Sequence, residues 1–71
     1  MNQINPKKLH QSKWTAIRPI NKEKHFIVTE VEWDENGSVL HCLLEAVISH
    51  RSVSIDWHDL KNSDNWLIGW K

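Results

Sequence analysis

Tyrosine is absent, phenylalanine and cysteine occur once each, and the 71 residues contain only two glycines and two prolines. With Cys42 alone, no internal disulfide can form, which suits a reducing compartment and points to a cytoplasmic protein. No apolar run approaches the ~18 residues of a membrane span. The start, Met-Asn-Gln-Ile-Asn-Pro-Lys-Lys, is polar and has no signal-peptide core. No membrane partner is expected. Net charge is also lacking, since nine basic residues balance nine acidic ones. A general polyanion binder would show a basic excess.

Motifs for metal or nucleophilic chemistry are missing too. His10, His25, His41, His50, His58 and Cys42 include no close ligand pair of the kind that zinc sites use. No Gly-rich phosphate loop and no Ser/His/Asp constellation is present. Neither a metal nor a cofactor is expected. Cys42 reads as a small buried hydrophobe rather than a nucleophile.

What the chain does have is five tryptophans. A chain this short hides only about 60% of its unfolded surface, and each indole can bury ~150–250 Å². The first reading of every Trp is therefore structural. Length sets one domain, residues 1–71, with 1–11 as a partly flexible segment. The charge is uneven: Lys7, Lys8, Lys13, Arg18, Lys22 and Lys24 stand against the single acid Glu23 in the first 24 residues.

The stretch from Phe26 to Trp57 predicts an antiparallel three-stranded meander. Asn36-Gly37 is a strong hairpin signal. A two-residue type I′ turn there pairs Trp33 with Leu40, Val31 with Cys42, Thr29 with Leu44, Ile27 with Ala46 and His25 with Ile48. Because faces alternate with period two, Ile27, Val31, Trp33, Leu40, Cys42, Leu44, Ala46 and Ile48 share one face. A second turn at His50-Arg51 pairs Ile48 with Val53, Ala46 with Ile55 and Leu44 with Trp57, extending that face. His-Arg is poor chemistry for a tight turn, so a longer or bulged connection is expected.

Around the meander, Asn5-Pro6 predicts an N-cap and a helical turn through Leu9. Ser12–Arg18 reads as a strand ended by Pro19. His58–Leu60 reads as a short helical turn with Leu60 inward, and Trp66–Trp70 as a strand beside the first one. The fold class is all-β and mainly antiparallel: a small, strongly bent sheet or partly open barrel.

Leu9, Ser12-Lys13-Trp14-Thr15-Ala16, Pro19, His25-Phe26, Leu44-Glu45-Ala46, Asp56-Trp57, Leu60, Trp66 and Gly69-Trp70 together resemble a small tryptophan-rich bacterial family of unknown function. The resemblance implies a bacterial cytoplasmic protein and brings no activity with it. His50-Arg51 departs from it by lacking a glycine in the turn.

The expected function is that of a small non-enzymatic binding module. The first candidate partner is a protein or peptide, where Trp and Arg dominate contacts. The alternative is RNA or single-stranded nucleic acid, stacking on an exposed indole beside the basic flank. Lys13, Trp14, Arg18, Trp66 and Trp70 are the candidate binding residues. A remote alternative is an enzyme using Glu45 and Asp56, which the register places face to face. Such a pair can act as acid and base, although an ion-pair or backbone-acceptor role is the simpler reading.

Overall fold

A computed structural model describes residues 2–71. It is all-β. Five strands, β1 (Lys13–Ile20), β2 (Glu23–Trp33), β3 (Val39–Ala46), β4 (Ser52–Ser54) and β5 (Trp66–Ile68), form one open antiparallel sheet in the order β4-β3-β2-β1-β5. The sheet does not close into a barrel. The only helical segments described are two 3₁₀ turns, Pro6–Lys8 and Trp57–Lys61.

Both turns follow from their caps. Asn5 accepts a hydrogen bond from Lys7 N, and Pro6 needs no donor at the first helical position. Asp56 does the same for His58 N. The turns swing Leu9 and Leu60 onto one face of the sheet, where both are fully buried. There they join Trp14, Val28, Cys42 and Leu44 in the core. Asn2 ties the start of the chain down, donating through its side chain to Leu60 O and Trp66 O.

The meander exists, but two bulges alter its register. Val31 faces Cys42 as expected, whereas Val28 faces Leu44 and Phe26 faces Ala46. Thr29 is the extra residue between the two registers. It sends Phe26 and Val28, rather than Ile27, to the covered inner face; a bulge makes two neighbouring residues oppose one. The second bulge lies beside the turn, where Trp33 faces Val39 rather than Leu40. Leu40 is consequently 67% exposed, and Trp33 is also solvent-facing, its indole N–H donating to Pro6 O.

Asn36-Gly37 is not a type I′ turn. Asp34 Oδ1 accepts from Asn36 N and Ser38 N, both at 2.9 Å, and Gly37 alone takes a positive φ, 82°. Gly37 N donates to Asp34 O and Asp34 N to Ser38 O. The Asp34 side chain thus selects a three-residue loop with Gly in the left-handed position. The two-residue primed turn occurs elsewhere, at Asn21-Lys22, with φ of 56° and 63° between the paired residues Ile20 and Glu23.

Lys22 occupies that position at a cost, since a left-handed L-residue is unfavourable by about 1–2 kcal/mol. Glycine removes the strain and loses some of the gain to chain entropy. Lys22→Gly is expected to stabilise the protein by about 0.5–1 kcal/mol. The melting temperature should rise by about 2–8 °C. A fall in melting temperature would show that Lys22 has another role.

The His50-Arg51 connection is longer than two residues, as its chemistry implied. Leu44 faces Val53 and Glu45 faces Ser52. His50 N donates to Ala46 O at 2.8 Å, and His50 takes a φ of 57° where a glycine was missed. The register differs from the simple one by four residues. An even offset preserves the face, so Val53 and Ile55 still point inward. Ile48, however, lies in the loop and is exposed rather than in the core. Pro19 does not end β1, which runs to Ile20. The β2 ladder is broken between Thr15 and Ile20, and β5 pairs only with Trp14–Ala16. No donor is required of Pro19 there.

Candidate functional site

The break in the β1–β2 ladder exposes part of the inner face. The two 3₁₀ turns cover the Leu9–Leu60 end. Toward the other end a cleft of about 200 Å³ stays open between β1 and β4. Phe26 and Leu44 floor it, Val53 and Ile55 form one wall, and Ala16, Ile20 and Trp66 form the other. The Trp66 and Phe26 rings meet edge to face at 5.3 Å between centroids, which holds both in place.

Glu23 and Arg51 form the polar end of the cleft, and Ser49 is hydrogen-bonded to Glu23. Glu23 is 4% exposed. Arg51 Nη2 donates to its Oε1, while Arg51 Nε, at 3.2 Å, and the Ser49 hydroxyl donate to Oε2. The Arg51 guanidinium and the Ser49 hydroxyl hold the Glu23 carboxyl below its ordinary value of 4.5, against the opposing effect of burial. The carboxylate is therefore charged at neutral pH, with both oxygens hydrogen-bonded. Arg18 stands at the rim. Among the described residues, no carboxylate forms an ion pair with it.

The five binding candidates are divided between three environments. Trp14 is in the core, 2% exposed, its indole N–H donating to Ser12 Oγ at 2.8 Å. It offers nothing to a partner. Arg18 and Trp66 come together at the cleft. Lys13 and Trp70 come together on the outer face, with Lys13 Nζ 4.8 Å from the indole centroid. Trp70 is 44% exposed. It is nevertheless fixed, because its N–H donates to Phe26 O at 2.9 Å and Lys71 N donates to the buried Thr15 hydroxyl. The His25 ring lies 6.0 Å from it.

Glu45 and Asp56 do not oppose each other, because the four-residue register difference puts Glu45 across from Ser52. Asp56 caps the second 3₁₀ turn, accepting from His58 N at 3.0 Å and lying 2.7 Å from His58 Nδ1. Those contacts with His58 lower its pKa. Glu45 lies 3.3 Å from His50 Nδ1. Among the described residues no group of three potential metal ligands converges, and burial pushes the Cys42 thiol up. No described helix is long and apolar enough to cross a membrane.

Sequence reasoning passed over Glu23 and Arg51. One signal was available: Glu23 is the lone acid among six cations in the first 24 residues. The sequence could not say which cation it meets, since Arg51 arrives from a loop 28 residues away.

A family model described as tryptophan-rich protein (DUF2389) matches residues 12–71. No curated protein and no solved structure matches the chain. The matched span holds the whole sheet, both walls of the cleft and all five tryptophans. The chain belongs to this tryptophan-rich family, whose function is unknown.

Proposed function

We propose that the protein is a non-enzymatic binding module that takes an apolar side chain of a peptide or protein partner into the inner-face cleft. The observation that carries this reading is the cleft itself: an aromatic and aliphatic hollow left open in a chain whose core is small. Its volume, about 200 Å³, exceeds the ~150 Å³ cavity that admits a benzene ring. It falls below the ~300–1,000 Å³ of small-molecule sites. One large aliphatic or aromatic side chain fits that size. Arg18, unpaired among the described carboxylates, favours an acidic residue beside the anchor. Glu23 carries no proton to give at neutral pH, and three hydrogen bonds from Arg51 and Ser49 hold its two oxygens, which argues against acid–base catalysis there.

Selection of linear peptides from a displayed library against the purified chain tests the proposal. Enriched peptides should share a large apolar residue with an acidic neighbour. Trp66→Ala should weaken their binding by about tenfold or more, as truncation of an anchor-pocket aromatic does. Arg18→Ala should act mainly on the association rate and its salt dependence. Failure to enrich any peptide would count against this reading.

A second reading rests on Trp70 and Lys13. A fixed, half-exposed indole beside a lysine suits a single-stranded nucleic acid, at ~1–3 kcal/mol per stacked base. Binding of an oligonucleotide should then weaken steeply with salt, log K falling by about 0.7 per phosphate contacted for each tenfold rise in salt. Trp70→Ala should abolish it and leave peptide binding intact. No oligonucleotide binding at low salt removes this second reading.

A further inference from the structure

The two edges of the sheet are not equivalent. At the β5 edge, Ile17 N donates to Asn65 O and Gly69 N to Lys13 O. In an antiparallel ladder the intervening residues alternate, so Trp66 and Ile68 aim their backbone groups away from β1. The Trp66 groups are already occupied: its N–H donates to Asn62 O at 3.0 Å, and its carbonyl accepts from Asn2 Nδ2 at 2.8 Å. This edge is closed at Trp66.

The β4 edge is different. Ala46 N donates to Arg51 O and Ile55 N to Cys42 O. By the same alternation Ser52 and Ser54 aim their N–H and C=O groups outward, away from β3. No hydrogen bond to them from another element is described. Neither lysine nor proline, the usual guards of an exposed edge, stands in Ser52–Ser54. The inward residues here, Val53 and Ile55, form a wall of the cleft.

We infer that the partner binds as an added strand. An extended peptide pairs its backbone with Ser52 and Ser54, and one of its inward side chains enters the cleft beside Val53. This rests on the cleft reading and adds the binding mode to it. Strand addition takes affinity from main-chain hydrogen bonds and selectivity from pockets for alternate side chains. Continuity of edge and cleft supplies both here. Arg18 at the rim, with no carboxylate partner among the described residues, sets the occupant as an extended segment with an acidic residue near its apolar anchor.

Titration calorimetry with a synthetic peptide from the library selection tests the inference. Ser54→Pro removes an outward N–H without taking a donor from the β3 ladder, so the fold should survive; Ser54→Ala is the control. The proline should weaken binding at least about tenfold, through one lost hydrogen bond and the ring in the way of another. As a measurement that leaves the protein intact, the peptide is N-methylated at alternate amides. One set of alternate positions should lose binding and the other should not. Equal affinity for Ser54→Pro and for both methylated sets, with Trp66→Ala still defective, would overturn strand addition and leave the cleft reading standing. A dimer that Ser54→Pro dissociates would name a second copy as the occupant and overturn the proposal.

Discussion

Trp14→Ala is expected to lower the melting temperature by about 12–40 °C, the largest effect of any single tryptophan change. A chain of 71 residues has only about 4–10 kcal/mol of stability to lose. Truncating a buried Trp costs about 3–5 kcal/mol, and each kcal/mol moves the midpoint of a domain this size by about 4–8 °C. Trp14 meets every condition for the full cost. It lies within the cluster of Leu9, Val28, Cys42, Leu44 and Leu60, and its strand is held on both sides, Phe26 across on β2 and Ile68 on β5. The truncation also leaves Ser12 Oγ without the indole donor. Trp70→Ala, on the outer face, should cost far less, because the indole is already half in water. Urea denaturation followed by circular dichroism compares the two. Similar midpoints for both variants would mean that the core is not centred on Trp14.

Arg51→Ala is expected to destabilise the protein, with a cost that depends on pH. Glu23 titrates below its ordinary 4.5 in the folded state because Arg51 and Ser49 stabilise the carboxylate. A depressed acid contributes stability that is present above its unfolded pKa and disappears as pH falls through the folded value. Asp56 adds to the same acid limb. The native protein should therefore hold its stability down to about pH 4.5 and lose it below. Without Arg51, a carboxylate 4% exposed keeps its burial penalty and loses its main compensation. Its pKa should then rise, and the variant should be most deficient at neutral pH and recover relative to the native protein on acidification. Glu23→Gln combined with Arg51→Ala should be less damaging at neutral pH than Arg51→Ala alone, because no buried charge is orphaned. Thermal melts across the acid range test the sign. A deficit that grows as pH falls would show that the pair does not act as described.

The sequence carried the strand count and the class. Period-two alternation marked Cys42, Leu44 and Ala46 as inward, and all three are buried. Asn5-Pro6 marks a capped turn and His58–Leu60 a second one with Leu60 inward, and the structure has both. Asn36-Gly37 marked a hairpin correctly, yet its geometry came from Asp34, whose carboxylate takes two backbone donors. The bulge at Thr29 was invisible, because Ile27 and Val28 are equally apolar and either could face the core. What chose Val28 was the segment crossing it: Val28 N donates to Ser12 O and Gln11 N to Val28 O. The site was less legible than the fold. Arg18 and Trp66 were both named, but nothing local joined them to Val53 and Ile55, which are brought alongside by the ladder.

The sequence by itself determined an all-β chain with an inward row at Cys42, Leu44 and Ala46 and turns at the right places, because alternation, caps and turn residues act over a few neighbouring positions. The tertiary structure alone decided the rest. It set which indoles face water, which carboxylate is buried beside which arginine, and which edge of the sheet stays open. Those outcomes depend on contacts between residues far apart in the chain, such as Glu23 with Arg51 and Asn2 with Trp66. A bulge of one residue changes such contacts without changing any local signal.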